Sequence, residues 1–335
     1  MGQLEPLDRG KVYPSRDMAF RSGFVSIIGR PNAGKSTLLN ALVGEKLAIV
    51  TRKPQTTRNR IQGIVNVERK NKRAAGQVVL VDTPGVHKPI NSLNRRMMKE
   101  VYDALEGCDL LLLIVDATAK FGTGDKFVLD IAKKNGQPCF LLLNKIDALE
   151  KQKLLPLIEE YKSLHEFAEV IPISALKRDG LDALMDAVVK ALPDGPRYFP
   201  KDQITDQPER FLVAELIREQ VLQTTSQEVP YATTVLIDQY QEGDKLTRIA
   251  ATIYCEREGQ KAILIGKQGA TLKKIGTAAR LQIERLLNAR VFLELFVKVR
   301  PGWRDSRAFV QETDWRTQLE HMASREDDGP APDSE

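Results

Sequence analysis

Gly29-Arg-Pro-Asn-Ala-Gly-Lys-Ser36 decides the fold of this 335-residue chain. The stretch has the form GxxxxGK[ST] and stands between an apolar run at 24–28 and a helical pattern at 35–43. A glycine-rich turn between a strand and a helix N-terminus gathers backbone N–H groups on one spot, and a polyphosphate fits there. Lys35 is expected to reach the β- and γ-phosphates, and the Ser36 hydroxyl to ligate Mg²⁺. Gly29, Arg30, Pro31, Asn32, Ala33, Gly34 and Thr37 would complete the cradle.

Outward from this loop, runs rich in Leu, Ile and Val at 78–81, 110–115, 140–143 and 170–173 read as strands covered on both faces. Helical patterns at 93–105, 124–134, 154–164 and 180–192 alternate with them. Residues 61–67 read as an added antiparallel edge strand. The alternation predicts an α/β fold, a doubly wound P-loop domain over 21–193, with ligands outside the carboxyl ends of the strands. Residues 1–20 form an extension before it.

The strand ends carry the chemistry. Asn144-Lys-Ile-Asp147 follows the 138–143 run, and a carboxylate at Asp147 accepts both N1–H and N2–H of guanine, a donor pair adenine lacks. Lys145 would lay its methylene stem along the base and Asn144 would hold the neighbouring loops. After the next strand, Ser174 and Ala175 line the base site, with the Ala175 N–H aimed at guanine O6. Asp82-Thr-Pro-Gly85 ends another strand. Asp82 is expected to hold Mg²⁺ through water and the Gly85 N–H to meet the γ-phosphate, with Thr83 and Pro84 in the same segment. Between the two lies Pro54-Gln-Thr-Thr-Arg58. One of Thr56 and Thr57 should complete the Mg²⁺ shell, with Thr57 the expected ligand. GTP or GDP and Mg²⁺ are the ligands these pieces predict, with Lys35, Thr57 and Gly85 serving hydrolysis. In this order, the four pieces resemble the translation-factor-related branch of GTPases.

Val86 stands where Ras-like enzymes have a water-orienting glutamine. A valine cannot align water, so slow turnover is expected. Asn32 has two readings: an asparagine that shapes the loop, or one that resembles the K⁺-coordinating asparagine of cation-dependent GTPases.

Beyond the first domain the pattern breaks. Residues 194–208, with Pro196, Pro200 and Pro208, read as a linker. From 209 to 304 the order becomes α-β-β-α-α-β, with helix at 209–223, strands at 232–239, 246–256 and 291–299, and a glycine-interrupted helical pair over 260–288. Gly266-Lys-Gln-Gly269 sits inside that pair as GxxG, a loop that lets backbone approach single-stranded nucleic acid. Between Gly259 and Arg304 ten basic residues face only Glu284 and Glu294, a local excess larger than the +5 of the whole chain. Such a concentration favours phosphate contact. Ile265, Gly266, Lys267, Gln268, Gly269, Lys273, Lys274 and Arg280 are the candidate RNA-binding residues, Ile265 as groove floor. The element order resembles a type II KH domain, a smaller α+β unit.

Composition narrows the alternatives. A chain with 42% hydrophobic and 28% charged residues is globular. Cys108, Cys139 and Cys255 are scattered, without CxxC, and read as buried reduced thiols. No run is long enough to span a bilayer, and the mixed charges before Phe20 are not a signal peptide, so a cytoplasmic, reducing compartment is expected. Residues 305–335 form a C-terminal segment with an acidic tail.

Together, Gly29–Asn40, Gln55–Arg58, the DTPG and NKID segments, Asp206-Gln-Pro-Glu-Arg-Phe211, IGKQG and Val299-Arg-Pro-Gly-Trp-Arg304 resemble the Era family of bacterial ribosome-assembly GTPases. The resemblance covers about Phe24 to Trp303. It implies binding near the 3′ end of small-subunit ribosomal RNA during 30S maturation, peripheral association with the inner membrane, and a monomer. The extension before Phe24 and the tail after Arg325 depart from it. Three rival readings are an RNA scaffold that holds guanine nucleotide without hydrolysis, a tRNA-modifying or other ribosome-associated GTPase, and an ATP-using kinase, the last of which fails on Asp147. The first predicts no turnover lost on Lys35→Ala, and the second predicts RNA binding indifferent to Gly269→Asp.

Overall fold

The computed structural model describes residues 20–51, 53, 56–69, 74–243 and 245–320. Pro54, Gln55, nearly all of the N-terminal extension and the acidic tail lie outside them.

The first domain is built on a six-stranded sheet of order β2-β3-β1-β4-β5-β6. Its strands are β1 (Arg21–Ile28), β2 (Ile61–Val67), β3 (Gly76–Asp82), β4 (Leu110–Asp116), β5 (Cys139–Asn144) and β6 (Glu169–Ile173). All neighbours are parallel except β2 and β3, so β2 is the antiparallel edge expected from its sequence. The apolar runs are continuous because both faces are covered. Leu110, Leu112 and Ile114 point into one core layer, and Leu111, Leu113 and Val115 into the other. That split is the two-residue period of a strand. Helices α1 (Lys35–Val43) and α5 (Leu181–Ala191) supply the first layer, while α2 (Ser92–Glu106) and α3 (Thr123–Asn135) supply the second. The remaining helix, α4 (Leu154–Leu164), packs on that second layer through Leu157, Ile158 and Tyr161.

The second domain runs α6 (Glu209–Thr224), β7 (Thr234–Gln241), β8 (Thr247–Cys255), α7 (Glu258–Ile265), α8 (Ala270–Leu287) and β9 (Val291–Val299). This is the α-β-β-α-α-β order read from the sequence. The sheet is β7-β8-β9, antiparallel then parallel, and α6 and α8 bury Val213, Ile217, Ile275, Ala279 and Ile283 against it.

Two segments differ from expectation. The residues read as a linker lie along the edge of the first sheet. Ile64 N–H donates to Ile204 O (2.8 Å), Thr205 Oγ1 donates to Gln62 O (2.6 Å), and Gln77 anchors the backbone of Tyr198 and Phe199. Proline-rich sequence signals the absence of helix, and here that extended chain finds unpaired edge groups to satisfy. Second, the chain after β9 turns back onto the first domain. Trp303, Phe309 and Val310 pack on Leu93 and Met97 of α2, with α9 (Arg307–Glu312) forming the contact. Burying Phe309 alone stabilises this contact by on the order of 2 kcal/mol.

Candidate active site and nucleic-acid interface

The glycine loop closes tightly over the carboxyl ends of β1 and β5. Gly34 has φ +105°, and a Cβ there would lie 2.1 Å from Asn144 Nδ2, so only glycine fits. Lys35 is buried, and its Nζ donates to Gly29 O (3.1 Å) and Arg30 O (3.0 Å). Burial lowers its pKa to about 8, against the opposing pull of Asp82.

Ser36, Thr57 and Asp82 converge although 46 positions separate the first from the last. Ser36 Oγ donates to Asp82 Oδ2 at 2.6 Å and lies 2.8 Å from Thr57 Oγ1, which is 3.4 Å from the same carboxylate oxygen. Asp82 is fully buried, and its Oδ1 has no partner. Burial pushes its carboxyl up to about 6, with Lys35 and the two hydroxyls pulling it down. A buried carboxylate with an unpaired oxygen beside two hydroxyls is a hard oxygen set of the kind Mg²⁺ prefers.

The floor and far wall of a cavity of about 490 Å³ are formed by the loop, Thr57, Gly85, Asn144, Lys145 and Asp147. That size suits a nucleotide. Asn144 is a framing residue: its Nδ2 donates to Ala33 O (2.8 Å) and its Oδ1 accepts from the Ala175 N–H (2.9 Å). The Ala175 N–H, aimed at a base carbonyl in the sequence reading, is therefore part of the frame that locks β5 to the loop after β6. The physical reason is register, since Asn144 pairs with Ile173 and its amide reaches two residues further. Asp147 is exposed at the cavity wall, and Ser174 Oγ donates to its Oδ1 at 2.6 Å. Ser174 itself is fully buried and acts through Asp147. Thr83 likewise turns inward, its hydroxyl donating to Ile27 O, while Pro84 is buried. Arg30 leans away onto Asp125 (2.7 Å). Asn32 is exposed in the left-handed region, φ +64°, and lines the cavity.

Val86 is buried in the apolar layer that holds Met98 and Val101. Its side chain therefore faces the core, and His87 Nδ1 lies 2.7 Å from Gly85 O.

Several site residues escaped the sequence reading. Asp116, the last residue of β4, holds Lys145 Nζ at 2.6 Å and so fixes the lysine stem. An acid closing an apolar strand at the ligand-binding edge was a signal for it. Ile49, Val50, Thr51 and Leu176 line the cavity without any motif.

The run Thr56-Thr57-Arg58 is seized by the second domain. Arg218 of α6 donates to Thr56 O through Nη2, and Arg58 Nη1 donates to Thr233 O at 2.7 Å with its guanidinium over the Trp303 ring. Just upstream, Lys46 and the Val50 N–H both bind Glu219, and Lys53 Nζ meets the carbonyls of Leu222 and Thr225.

In the second domain Gly266-Lys-Gln-Gly269 forms the exposed turn between α7 and α8. Gly266 (φ +72°) would place a Cβ 2.1 Å from Thr271 Oγ1, whereas at Gly269 (φ +78°) nothing lies within 4 Å. The first glycine closes the turn and the second leaves open backbone. Lys267, Gln268, Lys273 and Lys274 are exposed around it, and Ile265 is half-buried. Arg280 is engaged with Glu284 at 2.8 Å. Two more arginines of the basic run are also held internally: Arg304 by Glu256 (2.5 Å), and Arg300 over Phe309. Part of the sequence's positive excess is thus structural.

Among the described residues no His/Cys/Asp/Glu cluster suited to a metal occurs, and no helix is long and apolar enough to cross a membrane.

Comparison with known proteins agrees with this geometry. Residues 24–145 match a family described as 50S ribosome-binding GTPase, and residues 228–304 match the KH domain. GTPase Era of Geobacter metallireducens is 51% identical over 298 residues, covering 88% of this chain and 98% of that protein. GTPase Era of Syntrophus aciditrophicus is 50% identical over 88% of this chain and 94% of its own length. Two solved structures are 39% identical and cover 87% of this chain and 98% of theirs: a single-residue variant of Aquifex aeolicus Era bound to GDP·AlF4⁻, with TM-score 0.83, and Era in complex with MgGDPNP and nucleotides 1506–1542 of 16S ribosomal RNA, with TM-score 0.84. With nearly the full length of these relatives matched, and both domains in the same order, the chain belongs to the Era family of GTPases.

Proposed function

We propose that this chain is a Mg²⁺-dependent GTP-hydrolysing switch whose KH domain holds single-stranded RNA near the 3′ end of the small-subunit ribosomal RNA, assisting 30S maturation. The observation that carries this is the placement of one three-residue run. Thr57 stands beside Asp82 and Ser36, while the flanking Thr56 carbonyl and Arg58 guanidinium are bonded to the second domain. Whatever alters Thr57 must pull on α6 and Thr233. The 16S RNA fragment in the complex of the 39%-identical relative supports the small-subunit assignment; the family described by 50S binding covers only residues 24–145.

In this reading the loop from Gly29 to Ser36 and Thr37 cradles the phosphates, and Lys35 offsets charge at the β- and γ-positions. Ser36, Thr57 and, through water, Asp82 would hold Mg²⁺, which supplies neutralisation of the phosphate charge. The Gly85 N–H meets the γ-phosphate, while Thr83 and Pro84 support that segment from below. Asp147 reads guanine, Ser174 holds Asp147, Lys145 covers the base, and Asn144 with Ala175 locks the frame. Hydrolysis is slow because no side chain at position 86 reaches the attacking water. Asn32 stands at the cavity mouth where K⁺ would assist the reaction, and turnover in potassium above that in sodium supports this. On the RNA side, Gly266–Gly269 with Ile265, Lys267, Gln268, Lys273 and Lys274 forms the grip, and Arg280 shapes it through Glu284.

The domain boundaries that serve this function are 21–193, 194–208 and 209–304, with the protein acting as a cytoplasmic monomer that visits the inner membrane surface. The deciding experiment measures affinity for a 16S 3′-end oligonucleotide with GDPNP and with GDP. Tighter binding with GDPNP is expected; equal affinities would sink the switch.

A further inference from the structure

Where the Thr56–Arg58 run, α2, α6 and the C-terminal segment meet, the protein encloses a narrow cavity of about 30 Å³. That is room for one or two water-sized bodies. It is lined by Arg58, Arg96, Arg210, Arg218 and Trp315, with Glu215 the single carboxylate of the lining.

Each guanidinium has partners. Arg218 grips Glu215 (2.6 Å), Arg96 bonds Val310 O and Asp314, Arg210 donates to Ile237 O, and Arg58 to Thr233 O. After those bonds, one N–H of each is left over. Arg58 Nε, Arg96 Nε, Arg210 Nε, Arg218 Nη1 and Trp315 Nε1 are buried without an acceptor. The Arg58 and Arg218 side chains are themselves more than nine-tenths buried. Among the described residues, no lining side chain has a buried acceptor left unsatisfied. This asymmetry is informative. A water molecule accepts two hydrogen bonds but also needs two acceptors, whereas an anion only accepts.

We propose that this cavity is a binding site for a small monovalent anion of chloride size, held by Arg58, Arg96, Arg210, Arg218 and Trp315. The narrow volume favours a compact anion over a tetrahedral oxyanion. An excess of positive over negative charge supports the same conclusion: burial and the neighbouring Arg218, Arg304 and Arg96 draw the Arg58 pKa down to about 9, with Glu215 opposing them. The anion bridges the like-charged guanidinium groups of these elements, so its occupancy tightens the second domain onto Arg58 and α2. The inference goes beyond the GTP and RNA reading and does not depend on it.

The test uses the full chain with GDP. Crystals grown with bromide replacing chloride should give an anomalous peak inside this cavity. In solution, ³⁵Cl line broadening by the protein should be displaced by bromide but not by gluconate. Arg210→Met should weaken chloride about tenfold, and Trp315→Phe, which keeps the ring packed on Phe211, about fivefold. A cavity without an anomalous peak, or chloride affinity unchanged in both variants, would overturn the proposal.

Discussion

Arg218, in the first helix of the second domain, donates to the backbone carbonyl of Thr56, one residue before the hydroxyl that faces Asp82. The same guanidinium is paired with Glu215, one turn earlier on its helix and nearly as buried. A charge pair in that position is costly to break from one side only. Arg218→Met should therefore destabilise the protein by about 3–5 kcal/mol, read as a shift in denaturant midpoint. Removing both partners, in Arg218→Met with Glu215→Leu, should recover most of that loss. Both variants should narrow the difference in RNA affinity between GDPNP and GDP, and an unchanged difference would show that Arg218 is only structural.

Position 86 offers a counter-intuitive expectation. Because Val86 lies in the core layer with Met98 and Val101, Val86→Gln should not create a water-orienting group. We expect no gain in GTP turnover, and a loss of about 1–3 kcal/mol from burying an unpaired amide. A faster enzyme would mean the side chain can swing into the nucleotide cavity.

At the base end, Asp147→Asn should reduce GTP affinity by roughly 10⁴-fold and move preference toward xanthosine nucleotides. Ser174→Ala leaves the carboxylate in place but removes its 2.6 Å support. Its cost should be about tenfold in affinity, with guanine selectivity retained. Competition binding with GTP, XTP and ATP separates the two.

Metal dependence follows from the unpaired Asp82 Oδ1. Chelating Mg²⁺ should abolish turnover, and Asp82→Asn should weaken Mg²⁺ by about 10–100-fold, the range found for residues that support a metal through an intermediary. Titration of turnover against Mg²⁺ concentration measures this directly.

On the RNA side the two glycines should behave differently. Gly269→Asp meets no steric obstacle but sets a negative charge and a strained left-handed residue where the strand approaches. RNA binding should be lost while GTP turnover persists. Gly266→Ala would drive a methyl into Thr271, so its first effect should be on thermal stability.

Those contrasts show what sequence can and cannot carry. Gly29–Ser36, Asp82–Gly85 and Asn144–Asp147 were legible because each is a contiguous run whose chemistry is set by residue type at a strand end. Val86 was legible as a hydrophobe, but the direction it faces was not. The bonds that Arg58 makes to Thr233 O and Arg218 makes to Thr56 O across the domains were invisible, since buried and surface arginines look alike in a linear chain, and burial arises only when α6 docks. The same ambiguity bears on the basic run, where Arg280, Arg300 and Arg304 counted only as positive charge in the sequence and have Glu284, Phe309 and Glu256 as partners in the structure. The bond from the Ala175 N–H to Asn144 was not legible because the sequence shows no register, and register is what brings Asn144 to it.

The connection between the domains has one more consequence. Its residues from Pro193 to Thr205 are fastened to β1, β2 and β3, so the fifteen-residue tether has almost no slack. Any swing of the second domain would turn within a few bonds around Gln207 and Pro208, like a door on a short pin, and would first have to part Phe211, Leu212 and Trp303 from the first domain. Such travel would be an arc of fixed radius, returning the Gly266–Gly269 turn to one position.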